Sequence, residues 1–226
     1  GATVSSLFSA NFSDSTDTVT GGSSANTLAG IAITGYTADT AKGDWQYTTD
    51  GTNWTTVGSV SDASALTLGV GANDKLRFVP AANFNGTPPS LTVRLIDSSA
   101  TVSSGATGVN VSTNGGTTAF SSATVSLGTS ITAVNDAPVA SGSATLAAVS
   151  EDTAAPAGAT VSSLFSANFS DSTDTVTGGS SANTLLGVVL TSNAATASQG
   201  TWQWNNAGSW TNIATSLTDE IGRAHV

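Results

Sequence analysis

Carboxylates are the chemistry this chain has to offer. Asn135-Asp136 and Glu151-Asp152 are adjacent pairs, and Asp97 ends an apolar alternation. A second pattern, Asp14-x-x-Asp17, recurs as Asp171-x-x-Asp174. Oxygen donors of this kind suit a hard cation, since calcium takes six to eight of them at about 2.3–2.6 Å. A joint site could be made from Asn135, Asp136, Glu151, Asp152 and Asp97 if strand ends bring them to one pole. The same residues read as well as caps of turns, accepting backbone N–H bonds. For Asp14, Asp17, Asp171 and Asp174, capping is the simpler reading. Neither pattern has the twelve-residue spacing of an EF-hand loop or the glycine–aspartate nonapeptide of a β-roll.

Other chemistry is scarce. Cysteine is absent, and the single histidine is His225 in the tail. Acid–base catalysis needs a shielded group that ionises near the working pH. Any two aspartates could make a glycosidase pair, but nothing singles one pair out. There is no G-x-S-x-G elbow and no phosphate-binding glycine loop. The expectation is a protein that is not an enzyme. Charge is one-sided, with 15 acidic against 5 basic residues. Lys42, Lys75, Arg77 and Arg94 are too few to neutralise a phosphate backbone or an anionic membrane. Nucleic acid is therefore not expected as a partner. No apolar run reaches the length of a membrane span. Tyr36, Tyr47 and Trp54 could form an apolar platform for sugar, against the plainer reading that such rings are core.

These residues sit on a sequence that repeats. Gly1–Leu28 returns without change as Gly158–Leu185, 157 residues on. Val4, Leu7, Phe8 and Phe12 are spaced for one or two helical turns, copied at Val161–Phe169. Strands are expected at Leu28–Thr34, Asp44–Thr49, Ala65–Leu68, Lys75–Val79 and Leu91–Ile96. Leu91, Val93 and Leu95 alternate with Thr92 and Arg94, the pattern of a half-buried antiparallel sheet. Asp50-Gly51 predicts a tight hairpin with Trp54 facing the aromatics of the preceding strand. Val109–Val111 and Ala123–Leu127 are expected to pair around Asn114-Gly115-Gly116. Ser130–Val134 leads out, and Ala144–Val149 begins the next module. Short strands with Gly- and Asn-rich turns predict an all-β protein, with a β-sandwich ahead of a solenoid.

The module boundary falls in VNDAPV, Val134–Val139, where Pro138 disfavours helix at Ala137. This divides the chain into residues 1–136, a repeat lacking its first strand, and 137–219, the opening part of the next. Residues 220–226 read as something else: IGRAHV, Ile221–Val226, looks like translated sequencing-adapter DNA, with Glu220 astride the junction.

VNDAPV, SEDT at 150–153, GDWQYTTDGTNW at 43–54, LRFVPAANFNGT at 76–87 and LTVRLIDSS at 91–99 form a set. Together they resemble the tandem cadherin-like, or bacterial Ig-like, repeats of giant bacterial extracellular adhesin-like proteins. The resemblance implies immunoglobulin-like sandwiches in tandem, each with a short helical turn near its start. It implies an extracellular or cell-surface location and a stalk or spacer role in adhesion and biofilm. Neighbouring repeats would be the immediate partners, with distal domains meeting a glycan or protein. It also implies calcium at the joints, which favours the cation reading of Asp97, Asn135, Asp136, Glu151 and Asp152. The linker departs from animal cadherins in having one Asn-Asp pair where those carry a longer acidic run. The alternative function is a carbohydrate-binding, lectin-like module using Tyr36, Tyr47 and Trp54.

Overall fold

The computed structural model describes residues 1–217; the adapter-like tail and the end of the second repeat lie outside them. The chain folds as two units. One is Gly1–Ala137 joined by Asp171–Ala182, and the other is Pro138–Ser170 with the residues from Asn183 onward. The described residues are all-β, with antiparallel sheets and a few short helices.

The first unit opens with β1 (Ala2–Thr3) and α1 (Val4–Phe8). Thr3 caps the helix by accepting from Ser6 N–H at 3.2 Å. A helix this short has no stability of its own. It is held because Val4 and Phe8, one turn apart, are fully buried. Then follow β2 (Leu28–Gly35), β3 (Gly43–Thr48), β4 (Thr55–Thr56), β5 (Leu66–Gly69), β6 (Lys75–Pro80), β7 (Leu91–Asp97) and β8 (Val125–Leu127). They form two four-stranded sheets, ordered β1-β6-β3-β4 and β5-β2-β7-β8.

Both sheets feed one core. Ile31 and Ile33, Leu66 and Leu68, and Leu91, Val93 and Leu95 meet Trp45, Leu76 and the helix residues there. Trp45 is 4% exposed, and its Nε1–H donates to Pro89 O at 2.8 Å. The Trp45 ring meets its cross-strand partner Phe78 edge-on, with centroids 5.5 Å apart. Such pairs add about 0.5–1.5 kcal/mol beyond area burial.

Three sequence expectations need correction. The β5-β2-β7-β8 sheet is not half-buried. Its other face is covered by the chain between β7 and β8, where Ala32, Ala65 and Ile96 pack with Val111. Val109 and Val111 accordingly bond back to Ala65 and Asp62, not to 123–127, which pairs with β7. The tight Asp50-Gly51 hairpin is a wider loop. Asp50 organises it, its carboxylate accepting from Thr52 N–H at 2.8 Å, Asn53 N–H at 2.7 Å and Asn53 Nδ2–H at 2.6 Å. The aromatic pair across β3 is therefore with Phe78, not Trp54.

The second unit holds β9 (Val139–Ala140), α2 (Val161–Phe165), β10 (Phe169–Ser170), β11 (Gln203–Asn206) and β12 (Ser209–Asn212). Strand β9 pairs with β10, and β11 with β12. Thr160 caps α2 as Thr3 caps α1. Gln203 lies opposite Asn212, which keeps the register of Gln46 opposite Thr56. These local features follow from local sequence. Burial does not: Trp202, Trp204 and Trp210 are 54%, 42% and 49% exposed. The described residues contain no second copy of β5, β6 or β7 to bury these rings as Trp45 is buried in the first unit. Ala144–Val149, expected as a strand, carries no regular secondary structure, and Ser130–Val134 contributes only the bridge of Ile131 to Gly86.

Candidate functional site

The sequence-predicted ligands are distributed among three places. Asp97 ends β7, where its Oδ1 accepts from Ser99 N–H at 2.7 Å. Asn26, just after the Asp14–Asp17 turn, lies at this same end, accepting from Ser98 Oγ–H at 3.2 Å. Asp136 belongs to the other end of the strand, beside the turn Asn83–Gly86 that precedes β7. Seven residues of strand separate the two ends by about 20 Å. Asp97 and Asp136 are thus not brought together. Glu151 and Asp152 form an exposed turn in the second unit, with Asp152 at φ 62 and Thr153 Oγ–H on Ser150 O at 2.7 Å. Asn135 is exposed, and its Nδ2–H donates to Asp136 O at 2.9 Å. Among the described residues no three acidic or histidine side chains are grouped to hold a metal ion. Within the first unit, the expected grouping of Asp97 with Asp136 is therefore not formed.

What the fold does bring together is Asp136 with Asp174, from the two different sequence clusters. A one-turn 3₁₀ helix, Ser172–Asp174, follows Asp171, whose carbonyl accepts from Asp174 N–H at 3.2 Å. Val176 N–H then bonds Ser180 O at 3.0 Å, Gly179 N–H bonds Val176 O at 2.9 Å, and Ser180 Oγ–H donates to Asp174 O. Gly178 supplies the left-handed φ of 77 that closes the loop. The loop seats on Asn85 and Asp136. Asn85 Oδ1 accepts from Ser180 N–H at 2.7 Å, and Asn85 Nδ2–H donates to Ser180 Oγ at 2.8 Å. Asp174 Oδ1 accepts from Asp136 N–H at 2.9 Å.

The contact is tight because both sides are glycine. A Cβ on Gly179 would stand 2.3 Å from Asn85 Oδ1, and one on Gly86 would stand 2.9 Å from Gly178 O. Gly86, at φ 106, is held by reciprocal 2.8 Å bonds with Ile131. Asn85 is 7% exposed, Asp171 5% and Asp174 6%. Burying a carboxylate is costly unless hydrogen bonds satisfy it. Among the described residues no buried side-chain nitrogen or oxygen is left without a partner. Asn85 is not among the residues that the sequence singled out. Nothing local couples it to a serine 95 residues away. The available signal was Gly86 beside a polar side chain.

The aromatic platform is not assembled either. Tyr47 packs towards the core with Trp45, as does Tyr36, whose hydroxyl oxygen accepts from Trp45 N–H at 3.4 Å. Burial, first among the causes, pushes the Tyr36 hydroxyl's pKa above its ordinary value. Trp54 lies on the opposite face of β3–β4. There the Arg77 guanidinium covers its ring at 4.0 Å, while Arg77 also bonds Gln46 Oε1 at 2.9 and 2.7 Å. A shallow groove of about 260 Å³ beside Tyr47 is lined by Thr55, Thr56, Ser64 and Thr107 and holds no carboxylate.

Compared with protein-family models, curated proteins and solved structures, the chain finds no match. Among the described residues no helix is long and apolar enough to cross a membrane.

Proposed function

We propose that the chain is a spacer from a stalk of tandem immunoglobulin-like, cadherin-like sandwiches on a bacterial surface or secreted adhesin. One observation carries the reading: the acidic loop of the second sequence copy is seated on the first unit by hydrogen bonds from Asn85 and Asp136. A loop of the second sequence copy that is held by Asn85 and Asp136 of the preceding module suits a load-bearing series. Two sheets feeding one core support the sandwich. The covered rings of Trp45 and Trp54 support a mechanical role over sugar binding. The stalk reading comes from motif resemblance together with this contact.

Calcium belongs to the proposal as a weak ion at the Asp136–Asp174 contact. Extracellular modules hold calcium with dissociation constants of about 10⁻⁴–10⁻³ M. Asp136→Asn keeps the backbone bond and removes one charge, so calorimetric titration with calcium should show weaker binding than the unchanged chain. Identical titrations would remove the ion and leave the spacer. The spacer itself is tested by stretching single molecules between their ends and by exposing the chain to a glycan array. The reading expects resistance to force and no glycan retention. Glycan binding abolished by Trp54→Ala would replace it with the lectin-like alternative.

A further inference from the structure

The acidic loop exists twice with one sequence and one backbone course, and only one copy is seated. Asp14 has φ −130 and ψ 33, and Asp171 has φ −124 and ψ 33. Val19 N–H bonds Ser23 O at 2.9 Å as Val176 bonds Ser180, and Gly21 has φ 76 where Gly178 has 77. Ser23 Oγ–H reaches Asp17 O as Ser180 Oγ–H reaches Asp174 O. Among the described residues the first copy takes this shape with only the neighbouring Asn26 N–H on its Asp14 carboxylate at 2.7 Å, so docking would cost little ordering entropy. Yet Asp17, Gly22 and Ser23 are exposed, while Asp174 is buried.

We propose that the Asp14–Ala25 loop is an interaction surface, and that its partner is the Asn85–Gly86 turn and Asp136 N–H of a second copy of the Gly1–Ala137 unit. The Asn85 amide of that copy would bond Ser23 N–H and Oγ, and its Asp136 N–H would bond the Asp17 carboxylate. The surface is read from the seated loop; only the identity of its occupant rests on the tandem reading. The contact is heterologous, head to tail, so it need not close at two copies and can extend. Neither side carries a Lys or Arg side chain, so screening by added sodium chloride should not weaken it.

In the intact chain the socket is filled by Asp171–Ala182. Gly179→Val drives a side chain against Asn85 Oδ1, which empties the socket and leaves Asp14–Ala25 untouched. Sedimentation velocity from micromolar to millimolar chain should then show a coefficient that rises with concentration. The unchanged chain and Gly22→Val should not show it, and adding Gly22→Val to Gly179→Val should abolish it. A Gly179→Val chain that stays monomeric with native circular dichroism overturns the proposal. So does association that survives in the double variant. If Gly179→Val loses the native spectrum, Ser180→Ala with Ser23→Ala as its control serves the same comparison, read the same way. Absent association with Ser180 N–H still protected from exchange in the unchanged chain defeats this proposal alone. Loss of that protection defeats the seated loop as well.

Discussion

Asn85 does two jobs with one amide, accepting from Ser180 N–H and donating to Ser180 Oγ. Asn85→Ala would leave Ser180 N–H without its acceptor in a buried contact. A stranded group of this kind costs about 1–3 kcal/mol, so urea unfolding of the first unit should shift by that order. Arg94, buried behind β7, makes a different kind of clamp. It bonds both Asp62 oxygens at 2.9 and 2.8 Å and the carbonyls of Ser121 and Ser122 at 3.0 and 2.6 Å. The Arg94 hydrogen bonds hold the Asp62 carboxyl below its ordinary pKa, against the opposing effect of desolvation. Asp50 is likewise held below its ordinary value by Asn53 and by the N–H groups of Thr52 and Asn53. A depressed folded pKa gives stability that is present above the ordinary carboxylate value. That stability is lost as pH falls through the folded one. Urea stability should therefore decline below about pH 4, and Asp62→Asn should flatten part of that decline while lowering the neutral plateau.

The elements divide by what decides them. Caps and hairpin register are local, and they come out alike in both copies: Thr3 and Thr160 cap, and Gln46 and Gln203 keep the same cross-strand offset. Strands such as β2, β6 and β7 were legible because their apolar residues recur at the strand period. The cover over the outer face of β7 was not legible. Ala32, Ala65 and Ile96 form a small apolar patch that alternation alone assigns to solvent, and it is closed by Val111, fourteen residues past Asp97, together with Val102, Val109 and Phe120. The acidic cluster was half legible. Carboxylates near the linker drew attention, but the relevant pairing, Asp136 with Asp174, crosses two clusters that read separately. Burial is the property most dependent on distant chain. Acrylamide should quench Trp202, Trp204 and Trp210 readily and Trp45 hardly at all, with the shielded fraction reduced in Trp45→Phe. At the core, Ile33→Ala should cost about 2–5 kcal/mol, measured by urea unfolding.

At the scale of the molecule, the repeat is its own control. Residues 1–28 and 158–185 are chemically the same, so any difference between them is caused by what they touch. The central claim is that the second acidic loop is seated on Asn85 and Asp136, and the first has no such seat. Amide hydrogen exchange resolved by residue tests it most directly. Ser23 and Ser180 share both neighbours, so their intrinsic exchange rates match. Ser180 N–H should exchange slower than Ser23 N–H by at least about tenfold, and Asn85→Ala should erase the gap. Equal exchange at the two serines in the unchanged chain would contradict the account.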